Sequence, residues 1–152
     1  MEVNTELIIK ELNEQDELFN SSRDEVKNLY EQQSSYLQDL ITQFKPIFDW
    51  YKGKSYRFNH PSIDVHSGAG PILGADKGLN HVIVYNIREQ KLEKVNLYNE
   101  EREIYHIYNL VRDGHFQNAV AGIAHLTIML EEYREDADKL ALKLKAEIEE
   151  EA

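Results

Sequence analysis

Over the first 50 residues, apolar side chains recur at a spacing that predicts one long helix. Leu12, Phe19, Val26, Gln33, Leu40 and Ile47 fall seven residues apart, and Ile8, Gln15, Ser22, Leu29, Tyr36 and Gln43 repeat four residues earlier. Eight of these twelve positions are apolar, with Glu and Lys between them, which is the pattern of a coiled-coil seam. The polar members Gln15, Ser22, Gln33 and Gln43 are of the kind that set register or oligomeric state. Pro46 lacks an N–H and disfavours helix at Lys45, so it is expected to end or kink the helix.

The period changes to two in the centre of the chain. Asn80-His81-Val82-Ile83-Val84-Tyr85-Asn86 and Leu92-Glu93-Lys94-Val95-Asn96-Leu97 flank a polar turn and predict a β-hairpin. Weaker strands are expected at 55–58, 63–65 and 71–73. The helical period then returns. Asn99 is a candidate N-cap with Glu100, Glu101 and Glu103 after it, and Ile104, Ile107, Tyr108 and Val111 share a face as far as the stop at Asp113-Gly114. A second helix is expected from about 115 to 150, with Phe116, Val120, Ile123, Thr127, Leu130, Arg134, Ala137, Ala141, Leu144 and Ile148 in its stripe.

The expected architecture is therefore α+β in a single domain. Residues 1–50 form a long helix, 51–98 a β-rich head of antiparallel strands, and 99–152 a short and a long helix, with the two long helices forming a coiled-coil-like stalk. Helix, small sheet and helix on a stalk is similar in outline to prefoldin subunits, although the helix near 100–113 departs from that outline. The turn Leu110-Val111-Arg112-Asp113-Gly114-His115-Phe116-Gln117-Asn118-Ala119 resembles that of a tetratricopeptide hairpin, but it occurs once. It supports an αα-hairpin only.

Charge divides along the same lines. The chain has 152 residues and a formal charge of −11, but the three blocks carry −7, +3 and −7, and seven of the ten Gly and Pro lie in the middle one. An acidic total opposes binding to duplex DNA or to an anionic membrane surface. No apolar run approaches the ~18 residues of a membrane span, and the start of the chain lacks a signal-peptide pattern, so a cytoplasmic protein is expected. The absence of cysteine excludes disulfides, thiolate metal sites and a cysteine nucleophile.

Candidate chemistry concentrates in the head. Residues 67–78, Ser-Gly-Ala-Gly-Pro-Ile-Leu-Gly-Ala-Asp-Lys-Gly, form a glycine-rich run whose backbone amides could surround an anion, with Lys77 adding charge. The run does not match a phosphate-loop motif, because Lys77 precedes a glycine and a strand, and a plain connection between strands is the preferred reading over a binding loop. Basic and aromatic residues interleave nearby. The candidate ligand-binding set is Arg57, Gly68, Gly70, Gly74, Lys77, Tyr85 and Arg88, although these aromatics could instead be the core of the head. His60, Asp64 and His66 are close in sequence but lack metal-site spacing, and Ser67 lacks a nucleophile motif, so no metal, cofactor or catalytic residue is expected.

The leading expectation is a non-catalytic homo-oligomer that acts as a protein-interaction or inhibitory module, of a kind found among regulatory and mobile-element proteins. The alternative is an oligomeric binder of a small anionic ligand, such as a nucleotide, through 67–78. An acidic mimic of nucleic acid ranks below both, and an enzyme last.

Overall fold

The computed structural model describes residues 2–152. Helix α1 spans Thr5–Tyr51, and the Asn4 side chain caps it by accepting the Leu7 N–H. Pro46 does not end it. The helix continues to Tyr51 because Phe48 and Tyr51, both beyond the proline, are buried. Burying each is worth ~1.5–3 kcal/mol, enough together to offset the ~3 kcal/mol an interior proline costs.

The buried face of α1 is not the seven-residue seam. Leu37, Ile41, Phe48 and Tyr51 are buried, with Tyr30, Leu40, Phe44 and Ile47 packed beside them, whereas Tyr36 and Gln43 are exposed. On a straight helix a strict heptad drifts ~20° per repeat, so by the later repeats Tyr36 and Gln43 have rotated off the face and Leu40 and Ile47 stand at its edge. Packing against a compact head follows the 3.6-residue period instead. The first half of the same face, including Ile8, Leu12, Phe19 and Val26, is uncovered.

Four antiparallel strands form a sheet in sequence order: β1 (Ile72–Ala75), β2 (His81–Asn86), β3 (Lys91–Asn96) and β4 (Arg102–Ile104). The hairpin expected at 80–97 is present, with Val84 opposite Glu93 and Tyr85 opposite Leu92. Its turn is built by Asn86, whose Oδ1 accepts the N–H groups of Arg88 and Glu89. Of the weaker strands, 71–73 is realised as β1, displaced to 72–75. Segment 55–58 contributes only the bridge between Phe58 and Ser67, and 63–65 forms no strand. Ile63 and Val65 instead pack on the small cluster of Ile72, Val82 and Val84.

The helix expected from Asn99 is absent. Asn99 makes a turn by accepting the Glu101 N–H, and Arg102–Ile104 pairs with β3 as an edge strand. Two forces compete here: the acidic first turn favours helix, while Glu93 and Val95 on β3 offer a ladder and an ion pair to Arg102. The second prevails. Helix α2 is only Ile107–Arg112, and Gly114 follows it at φ +83°, the left-handed position expected of it.

The single helix expected over 115–150 is interrupted. Helix α3 (Phe116–Ala124) passes through a 3₁₀ turn at His125–Thr127 into α4 (Met129–Glu151). The Thr127 hydroxyl donates back to the Ala124 carbonyl, His125 is buried, and Ile128 leaves helical geometry at φ −120°, ψ −6°. This redirects α4, so the two long helices do not pair as an intrachain stalk: α1 packs on α2 and α3, and α4 joins the head only at its base.

Helix α3 lies directly on β1. A Cβ on Gly122 would come within 1.9 Å of the Ile72 carbonyl oxygen, so only glycine permits this approach. Gly122→Ala is expected to lower stability by about 1–3 kcal/mol through the forced separation. Gly68→Ala, where a Cβ would meet no atom within 4 Å, should change it by less than about 0.5 kcal/mol. Urea denaturation of both variants checks the contrast.

Candidate functional site

The seven candidate binding residues are dispersed. Gly70 is buried, where a Cβ would fall 1.8 Å from the Tyr85 carbonyl oxygen, and a Cβ on Gly74 would come within 2.8 Å of the His115 ring. Both glycines therefore serve packing. Tyr85 lies in the core against Phe48, with ring centroids 4.8 Å apart. Arg57 is exposed, and its carbonyl accepts the Tyr133 hydroxyl at 2.6 Å. Lys77 lines a separate depression beside Asp76, His81 and Asp113. Gly70 meets Tyr85 only through backbone packing, and of the seven only Gly68 and Arg88 line one cleft together.

The glycine-rich run is not one loop. Ala69 and Pro71 accept the Ile87 and Tyr85 N–H groups, so the ladder of β1 begins before the strand proper, with an irregularity between Ile72 and Gly74. Ser67 Oγ accepts the Ala69 N–H, a turn contact. Asp76 closes the other end by accepting N–H groups from Asn80 and His81, and the His81 bond holds its carboxyl below the usual range.

Gly68 and Arg88 share a cleft of about 420 Å³ between the end of α1, the 55–58 segment and the β2–β3 turn. Its wall includes Lys52, Tyr56, Phe58 and Arg102. Gly53, at φ +80°, turns the chain sharply out of α1 and brings Ser55 and Tyr56 over the opening. Behind the cleft, Glu93 is 5% exposed and receives Arg102 Nη1 at 3.2 Å and Asn86 Nδ2 at 3.2 Å, with Lys91 Nζ at 4.0 Å. A buried carboxylate is tolerable only with such partners. The pair fixes where Arg102 stands. Among the described residues Lys52 and Arg88 have no ion pair.

Sequence reasoning passed over Arg102 and Asn86. The available signal was Glu93, an acid within an otherwise apolar strand pattern, followed nine residues later by an arginine across an Asn-rich turn. Assigning 99–113 to helix hid that cross-strand register.

The two buried histidines, His60 and His125, are structural in their contacts. His60 Nδ1 accepts the N–H groups of Ser62 and Ile63, so Nε2 carries the proton and donates to the Asn118 carbonyl at 2.8 Å. His125 Nε2 lies 2.9 Å from Asn59 Oδ1 and 3.3 Å from Glu132. Tyr105 donates to Asp113, and burial together with that carboxylate pushes its phenol far above its ordinary range. Among the described residues no three His, Asp or Glu side chains gather to hold a metal ion, and no helix is long and apolar enough to cross a membrane. No protein-family model, curated protein or solved structure matches the chain.

Burial lowers the His60 pKa below its usual 6.5, because the charged ring would lose water and two donated N–H bonds. The unfolded chain then takes up a proton at higher pH than the folded one, so this contribution to stability is complete above 6.5 and is lost as pH falls through the folded value. Urea midpoints should drop between pH 7.5 and 5.5, and His60→Gln should flatten that dependence. An equal drop in the variant would refute it.

Proposed function

We propose that the protein is a non-catalytic module that self-associates through its two helical arms and presents the head to a partner protein. One observation carries this reading: each long helix has its apolar face covered at the base and bare beyond it. On α1 the face is covered from Tyr30 onward, while Leu12 and Phe19 are 61% and 62% exposed. On α4, Met129 is buried and Leu130 and Tyr133 pack on the core, but Leu140, Leu144 and Ile148 on the same face are exposed, Ile148 by 70%.

At ~1.5 Å per residue the bare stretches, 5–29 and 134–151, extend about 37 and 27 Å. Stripes of that length, lined with Leu, Ile, Phe and Val, are continuous with faces that this chain itself buries in helix packing. A second copy supplies the matching surface, and the seven-residue spacing of Ile8, Leu12, Phe19, Val26 and Leu29 suits a supercoiled seam. Large exposed apolar patches are uncommon on monomers.

Light scattering at micromolar concentration should give a mass at least twice the 17.8 kDa of one chain. Phe19→Asp combined with Leu144→Asp should reduce that mass while preserving the near-ultraviolet circular dichroism of the head, since neither residue touches its core. Leu40 is unsuitable for this test because it packs against the core. A wild-type monomer would overturn the reading.

A further inference from the structure

We infer that the cleft between α1 and the β2–β3 turn binds a nucleoside monophosphate, with its phosphate on Arg88, Lys52 and Arg102 and its base against Tyr56. The site differs from the glycine-rich run that the sequence suggested, and it does not depend on self-association.

The first argument is charge. Lys52, Arg88 and Arg102 all line the cleft, and no lining residue is a carboxylate. The other depressions of the head each contain one or more: Asp76 and Asp113 beside Lys77, Asp64 beside His60, Glu101 and Glu103 beside Lys94. In a chain of net charge −11, a concave surface whose charged lining residues are all cations is a distinct feature. Two of the three cations have no ion pair among the described residues, so a bound anion would meet donors that are not already neutralised. Arg102 is committed to Glu93 through one nitrogen, and a guanidinium has five N–H donors, so others remain for a phosphate.

The second argument is shape and chemistry of the wall. Tyr56 is 41% exposed and edge-on to Tyr51, which leaves ring surface open to a base. Ser55 lines the same wall. The volume of about 420 Å³ falls within the ~300–1,000 Å³ range of small-molecule sites. Gly68 leaves its side of the mouth empty, with nothing within 4 Å of where a Cβ would be. Its φ lies outside the left-handed region, so a larger residue can stand there without backbone strain.

Gly68→Leu therefore fills the mouth without disturbing the core, and Arg88→Gln removes an unpaired cation. Calorimetry on the full chain would use AMP, GMP and UMP, with inorganic phosphate and adenosine as separate probes. At least one monophosphate is expected to bind, more tightly than phosphate or adenosine alone, and both variants should weaken it by about tenfold or more at unchanged melting temperature. Affinity should also fall with added salt. Absence of heat with all three monophosphates overturns the inference, as does equal affinity in the wild type and both variants. Binding of phosphate as tight as that of the nucleotides would overturn the assignment of the base to Tyr56.

Discussion

The aromatic joint at the end of α1 is the contact on which the rest of the head depends. Phe48 lies on Tyr85 of β2, and Tyr51 sits 5.4 Å from Phe58 while its hydroxyl donates to the Leu126 carbonyl at 2.6 Å. Two residues one turn apart thus connect the helix to the sheet, to the segment that covers the sheet and to the turn before α4. Their burial is large enough to carry the helix through Pro46. Without that continuation Lys52 and Gly53 would have no fixed position, and the cleft they border would lose a wall.

Close backbone approach is the complementary constraint. A four-stranded sheet cannot bury much against single helices unless they come near, and Gly122 removes the side chain that would hold α3 off β1, while Gly70 does the same between the residues leading into β1 and β2. Gly70 and Gly74, two of the three glycines that looked like ligand-binding elements in the sequence, are consumed by packing. A glycine required by φ > 0 and one required by a neighbouring carbonyl are indistinguishable in a single sequence. Gly68 differs from its neighbours only in what surrounds it, which no local pattern records.

What was legible from sequence follows from the range of the forces involved. The long helix, the β2–β3 hairpin and the stop at Gly114 are set by local periodicity and turn chemistry, and they were readable. The failures lie where a distant partner decides. Strand β4 replaces a helix because Glu93 and Val95 on β3 reward pairing, the 3₁₀ turn interrupts α3 and α4 because His125 is drawn inward to Asn59, and the α1 face rotates because it packs on a head rather than along another helix. Of the candidate site, Gly68 and Arg88 were identified, whereas Arg102 depended on the strand that was misread. The heptad spacing itself was real. It describes the uncovered part of α1, where a supercoil remains open to it, and fails in the covered part, where the helix is held to the head.

The charge distribution is consistent with this division of surfaces. A bare apolar stripe about 37 Å long would adhere to many hydrophobic surfaces if nothing restrained it. Glu11, Glu14, Asp16 and Glu17 stand among its apolar residues, and Glu147, Glu149, Glu150 and Glu151 crowd the end of α4. Acids flanking a seam repel acidic surfaces and leave pairing favourable only where geometry is good or where bases meet them, as Lys139, Lys143 and Lys145 on α4 could meet the acidic stretch of α1 in another copy. At physiological salt such forces act within ~8 Å, so the cations of the cleft are little affected by acids farther along the arms. An acidic chain can in this way keep one electropositive cleft, provided that its negative charge is placed on helices that leave the head.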